Sequence, residues 1–179
     1  MTFTIRPAVI TDINGIARVH VESWQTTYAQ LLPSDYLHGL SIEERADMWR
    51  GIFSSFATRS HHIVAESSTG EIVGFASYGP ERDGNIVYYS ELYVIYLLEN
   101  FQRQGIGRAL VRHALRDLVA DKYHNMMVWV LEQNPAVEFY KTMGGVLVEE
   151  RKITIDNMPL NEYAYGFDDL AGLLKKDDG

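Results

Sequence analysis

The sequence predicts a mixed α/β protein organised as one domain over residues 1–179. Three observations predict it. Strand-like runs cluster in the middle and at the end, helical periodicity fills the stretches between, and no linker, repeat or low-complexity block divides the 179 residues. The order that emerges is strand, two helices, three strands, helix, strand, helix, two strands. It fits neither a regular doubly wound fold nor a barrel.

Phe3 and Ile5 mark a short opening strand. From Asp12 onward Ile13, Ile16, Ala17, His20 and Trp24 recur near one face of a helix expected to reach about Gln30. A second helical region carries Pro33, Tyr36 and Trp49. Within it Ser41 and Glu44 have the spacing of a capping box, in which each side chain satisfies the other residue's backbone donor.

The period then changes to two. Residues 62–66 and 71–78 flank Ser67-Ser68-Thr69-Gly70 and read as a hairpin, and a third strand is expected from about 86 to 98, after Gly79-Pro80 and Asp83-Gly84. Ile106, Leu110, Leu115 and Leu118 support a helix to about Ala120, and 126–131 reads as a buried strand. Asn134, a favoured N-cap, and Pro135, tolerated in a first turn, start another helix that stops at Gly144-Gly145. Strands at 146–155 and 162–167 flank a turn at 156–159, and 168–179 reads as a charged tail with at most a frayed helical turn.

Composition narrows the function. With no cysteine there is no disulfide, cysteine metal site or thiol nucleophile, which suits a cytoplasmic protein. The N-terminal residues lack a signal pattern, no apolar run is long enough to span a bilayer, and no membrane partner is expected. A formal charge of -8 argues against nucleic acid as a partner. His61 and His62 are adjacent, but the six histidines show no helical ligand spacing with a carboxylate, so no metal is expected.

The chemistry concentrates at Gln102-Arg103-Gln104-Gly105-Ile106-Gly107-Arg108, a glycine turn between an apolar strand and an amphipathic helix. Unpartnered N–H groups at a helix start, with the positive end of the helix dipole, hold phosphate, and glycine lets it come close. A Rossmann fingerprint needs Gly or Ala where Leu110 stands, and a P-loop needs Gly-Lys-Ser/Thr; neither is present.

Gln102-x-x-Gly105-x-Gly107, preceded by Glu91-Leu92-Tyr93-Val94-Ile95-Tyr96-Leu97 and followed by Asn134 to Gly144 with Phe139-Tyr140, resembles the GNAT superfamily of acetyl-CoA-dependent N-acetyltransferases. The opening Ile5-Arg6-Pro7-Ala8 and the segment from Glu22 to Tyr28 extend the resemblance over almost the whole chain. It implies a mostly antiparallel central sheet flanked by helices, with acetyl-CoA as acetyl donor. The backbone of Arg103, Gln104, Gly105, Ile106, Gly107 and Arg108 would bind the pyrophosphate, with Gln102 opening the motif. Ile95, Tyr96 and Leu97 would pair with the pantetheine arm as an added strand. Arg108 could also place its guanidinium near the phosphates, whereas Arg112 and Arg116 continue an ordinary helix face.

The resemblance further implies Tyr140 as the acid that protonates the leaving thiolate. Glu91, eleven residues before Gln102, matches the base glutamate of the histone-acetyltransferase branch, with Glu132 as the alternative. A base is required because an alkylammonium of pKa ~10 has no free lone pair at neutral pH. The family's coenzyme-contacting Asn lies seven residues before the acid; here Gln133 holds that place, and Asn134 follows as a coenzyme contact or helix cap. Trp24, Tyr28 and Tyr36 could form an aromatic acceptor wall, and Glu22 could attract a cation. The expected activity is acetyl transfer to a primary amine, on a small molecule or a protein, by direct attack in a ternary complex. The alternative is a catalytically silent acyl-CoA sensor. The last two strands offer a surface for a homodimer.

Overall fold

Residues 2–55 and 59–177 are described by the computed structural model, with side chains through 175. The alternating runs form β1 (Phe3–Pro7), β2 (His61–Ser67), β3 (Ile72–Pro80), β4 (Ser90–Leu97), β5 (Met126–Leu131), β6 (Val146–Ile155) and β7 (Met158–Phe167). They make one seven-stranded sheet of order β1-β2-β3-β4-β5-β7-β6. Every neighbouring pair is antiparallel except β4 and β5. The helices are α1 (Ile13–Thr27), α2 (Ser34–His38), α3 (Ile42–Ser54), α4 (Ile106–Ala120), α5 (Ala136–Thr142) and α6 (Leu170–Asp177).

The core forms on both faces of the sheet. Phe75 and Tyr78 of β3 have opposite parity and so point to opposite faces. Phe75 meets His20 of α1 and Trp49 of α3, with ring centroids 5.9 and 5.2 Å away, while the Tyr78 hydroxyl donates to Asp117 of α4 at 2.5 Å. Ile106, Leu110, Leu115 and Leu118 are at most 1% exposed, so the helical stripe expected after the glycine turn is the one that packs. No described helix is long and apolar enough to cross a membrane.

Five features differ from expectation. The first helix stops at Thr27, and the second helical region is two helices. Extended backbone at Pro33 (φ -58, ψ 137) starts α2, and Ser41 then caps α3 by accepting from Glu44 N at 3.2 Å. Strand β4 begins at Ser90. Residues 81–89 are instead a loop, because the Glu81 carboxylate accepts from Asp83 and Asn85 N and the Asn85 side chain from Val87 and Tyr88 N. The β6–β7 turn is two residues, Asp156 and Asn157, both at positive φ (48 and 62), so β7 starts at Met158. Pro159, which has no N–H to donate, is harmless there, since β5 pairs with β7 only from Glu162 onward. Lastly, the charged tail is helical over 170–177. Leu170 is fully buried and its N–H donates to His124 O at 3.0 Å. Residues 178 and 179 of the expected tail lie outside the described residues.

Candidate active site

Neighbouring parallel strands need a crossover, and α4 supplies the one between β4 and β5. These strands share a single register pair, Glu91↔Met127. Beyond it β4 follows β3 to Gly74↔Leu97, while β5 follows β7 to Leu131↔Glu162. The two strands splay, and residues 92–97 and 128–131 face each other without ladder pairs among the described residues. Tyr93 adds a bulge, falling between Leu92↔Tyr78 and Val94↔Ser77. A bulge re-aims the side chains around it. The result is a wedge-shaped slot in the sheet, closed at Glu91 and open at Leu97, with backbone donors and acceptors along its rim.

The glycine loop stands at the open end. Gly105 is left-handed (φ 84) at the N-cap of α4, and Arg103 is left-handed as well (φ 58). The N–H groups of residues 103–107 donate to no backbone carbonyl among the described residues. The Ile106 side chain is 1% exposed and anchors the loop in the core. A Cβ on Gly107 would lie 3.3 Å from Leu97 and 3.8 Å from Phe139, so the missing side chain keeps α4 close to both β4 and α5. Gln102 and Gln104 are spent locally, donating to Leu97 O (3.4 Å) and Asn100 O (2.9 Å). Arg108 and Arg116 are exposed on α4. The loop thus presents backbone donors at a helix start, an anion site in form.

A group of phenols lines the slot. Tyr140 of α5 is 4% exposed, its ring stacks on Tyr165 at 6.4 Å, and its hydroxyl hydrogen-bonds to no described residue. Burial raises its pKa well above the usual tyrosine range, and nearby Tyr96 adds to the shift. Tyr96 of β4 stacks on His20 at 5.0 Å and lies against the Tyr28 hydroxyl. Tyr28 in turn accepts from Asn134 Nδ2 at 3.2 Å, while Asn134 Oδ1 caps α5 by accepting from Ala136 N at 2.9 Å. Asn134 therefore both caps and cross-links. Gln133 is exposed. Trp24 packs edge-on against Tyr28 at 5.0 Å, and its buried Nε1 faces Tyr96 without a well-formed hydrogen bond.

The expected aromatic wall is thus mostly internal. Tyr28 is 6% exposed and Trp24 half-buried. Tyr36 lines an open cleft of about 400 Å³ with Asp35, Gly39, Leu40, Ser41, Glu44 and Arg45, and Arg45 lies 5.9 Å over the Trp24 ring. Glu22 pairs with Arg18 at 3.3 Å.

Glu91 sits at the closed end, 3% exposed on the side chain, held by two bonds from Arg82. Glu132 is outside, accepting from Tyr163 and Asn161, and those hydrogen bonds lower its pKa. His61 bonds Asp121 and His62 bonds Ser77; among the described residues no three His, Cys, Asp or Glu gather to hold a metal. The structure therefore gathers Tyr28, Tyr96, Asn134 and Tyr140 at one part of the slot and puts Glu91 at its apex.

Sequence reasoning missed three residues here. Ser23 ties α1 to the slot by donating to Leu97 O at 3.0 Å. His20, buried, accepts from Trp49 Nε1 at 3.3 Å, and burial with the Arg45 charge pulls its pKa down to about 3. Arg82 carries a signal only once the hairpin register Gly79↔Glu91 is known.

A splayed parallel pair with a helix start at its mouth and a buried phenol and carboxylate along it makes a candidate acyl-transfer site. The sequence model of the acetyltransferase (GNAT) family matches residues 21–144, and the chain belongs to that family. It is 41% identical over 175 residues to the uncharacterized N-acetyltransferase YuaI of Bacillus subtilis, with 95% of each chain covered. Among solved structures it is similar in fold to the PaiA N-acetyltransferase of Thermoplasma acidophilum in complex with coenzyme A. That match has a TM-score of 0.74 and 20% identity, covering 94% of this chain and 99% of the other. YncA of Salmonella typhimurium, solved with its cofactor acetyl-CoA, is similar at TM-score 0.69 and 19% identity, with 94% of each chain covered.

Proposed function

We propose that this acetyltransferase moves an acetyl group from acetyl-CoA to a primary amine by direct attack in a ternary complex. The slot between β4 and β5 carries the proposal. From Leu97 to Glu91 its β4 rim runs for about 20 Å, with phosphate-binding N–H groups at one end and a buried carboxylate at the other. An extended amide arm laid there restores the missing strand pairing, which is why Ile95, Tyr96 and Leu97 enter through their backbone.

The residues divide the work as follows. The N–H groups of 103–107, with Arg108, hold the pyrophosphate. A rim N–H near the Tyr93 bulge receives the developing oxyanion of the thioester carbonyl. Glu91 takes one proton from the acceptor ammonium, freeing the nitrogen lone pair to form the C–N bond. As the C–S bond breaks, Tyr140 gives its proton to sulfur and regains one from the acylated nitrogen. The proton on Glu91 passes to solvent. Glu132, exposed outside the slot and bonded to Tyr163 and Asn161, is the alternative base. Asn134 and Tyr28 brace α5 so that Tyr140 faces the slot, and Trp24 with the Tyr36 cleft forms the outer acceptor wall. The acceptor is a small-molecule or protein amine.

The absence of cysteine supports a cytoplasmic setting. The free edge of β6, where Val146, Leu147 and Val148 are exposed, supports a homodimer. The test is release of free CoA thiol over a panel of amines and peptides. Acceleration by at least one of them is expected. If acetyl-CoA binds and none accelerates release, the protein is a sensor rather than an enzyme.

A further inference from the structure

Arg82 grips the base candidate with one edge only. Its Nε donates to Glu91 Oε2 at 3.1 Å and its Nη2 to Oε1 at 2.6 Å, while Nη1 donates to no described residue. Its side chain is 56% exposed where that of Glu91 is 3%, so the guanidinium lies between the buried carboxylate and solvent. The group is also fixed in place. It lies 4.0 Å over the Tyr93 ring, whose hydroxyl donates to Pro80 O at 2.6 Å. Asp83, next in the loop, pairs with Arg151 at 2.8 Å, and Arg151 also holds Glu162 at 2.8 Å. Arg151 is therefore neutralised by two carboxylates, whereas Arg82 has an edge left over.

A plain alkylammonium that reaches Glu91 finds the carboxylate already neutralised by this fixed cation and gains little attraction from it. An acceptor carrying its own carboxylate is not, because a guanidinium receives a carboxylate through two parallel N–H bonds. We propose that Arg82 determines acceptor specificity. Its inner edge holds Glu91, and its outer edge, Nη1 with the second N–H of Nη2, receives the acceptor's carboxylate. The acceptor class is then an amine with a carboxylate one or two carbons from the nitrogen, of the amino-acid kind. This rests on the acetyl-transfer reading with Glu91 as base. The carboxylate takes no part in the bond changes; it orients the amine toward Glu91 and the thioester.

The test compares L-amino acids with their amides and their decarboxylated amines as acceptors, with acetyl-CoA as donor, in the wild-type protein and in Arg82→Gln and Arg82→Lys. In the wild type the free amino acids are expected to exceed both analogues in kcat/KM by roughly 100-fold, the scale of charge-assisted hydrogen bonds to a half-exposed guanidinium. In Arg82→Gln the ratio falls to within a few-fold, mainly through a higher KM for the amino acid, while the KM for acetyl-CoA is unchanged. Arg82→Lys, which keeps the charge without the fork, recovers part of the preference. Amides or decarboxylated amines used as well as amino acids by the wild type, or a ratio that survives Arg82→Gln, would overturn the proposal and leave acetyl transfer standing. If no amine of any kind is acetylated although acetyl-CoA still binds, both fall together.

Discussion

A phenol as buried as Tyr140 keeps its proton through neutral pH, since burial first and Tyr96 second disfavour the phenolate. It is therefore always in the form an acid must have. Tyr140→Phe should lower kcat roughly 10- to 100-fold, the low end for general acids because a thiolate leaves readily. The dissociation constant for acetyl-CoA should barely change, and equal kcat values in stopped thiol-release assays would remove Tyr140 from the mechanism. His20 titrates in the opposite sense. Its native pKa, down at about 3, lies below the unfolded 6.5, so the unfolded chain binds the extra proton and stability is lost as pH falls below 6.5. The loss is about 1.4 kcal/mol per pH unit for one proton, or roughly 2–3 kcal/mol by pH ~4.5. Urea midpoints should show a flatter acid slope in His20→Gln; parallel slopes would clear His20 of the effect. The positions of Glu91 on the strand before the glycine loop and of Tyr140 on the helix after β5 were legible in the sequence. Arg82 and His20 were not, because their partners Glu91 and Trp49 are met through strand register and helix packing rather than through local pattern.

At the scale of elements, α4, β5 and β6 fell where the sequence put them, α4 and β5 through buried apolar patterns and β6 between the breakers Gly144-Gly145 and Asp156-Asn157. The departures came where side chains bond the backbone or where burial is tertiary. Glu81 and Asn85 hold a loop in an apolar run, and Leu170 draws an otherwise charged tail onto the core. The glycine loop shows a position where the local rule is strict. A Cβ on Gly105 would touch nothing within 4 Å, so Gly105→Ala tests backbone conformation alone. Holding alanine at φ 84 should cost roughly 1–2 kcal/mol in urea unfolding. It should also raise the KM for acetyl-CoA by re-aiming the loop N–H groups. A variant as stable as the parent, with the same KM, would mean that the loop does not need this conformation.

For the whole molecule, a ligand that binds only the folded chain shifts the unfolding equilibrium. Acetyl-CoA at about 100 times its dissociation constant should add about 2.7 kcal/mol. For a chain of this size that is a rise in Tm of roughly 5–10 °C, readable in a thermal scan; no rise at millimolar acetyl-CoA would count against the slot as its site. The one rung Glu91↔Met127 also has a consequence for how the protein breathes. Strands β1 to β4 form one hydrogen-bonded ladder and β5, β7 and β6 another, so in the free protein the two can open as separate cooperative units that meet where β4 runs beside β5. A donor seated between them, as proposed, would supply the missing rungs. Amide hydrogens along the slot rim would then exchange slowly only while the enzyme is loaded, and the substrate would serve, for the length of a turnover, as the eighth strand of the sheet.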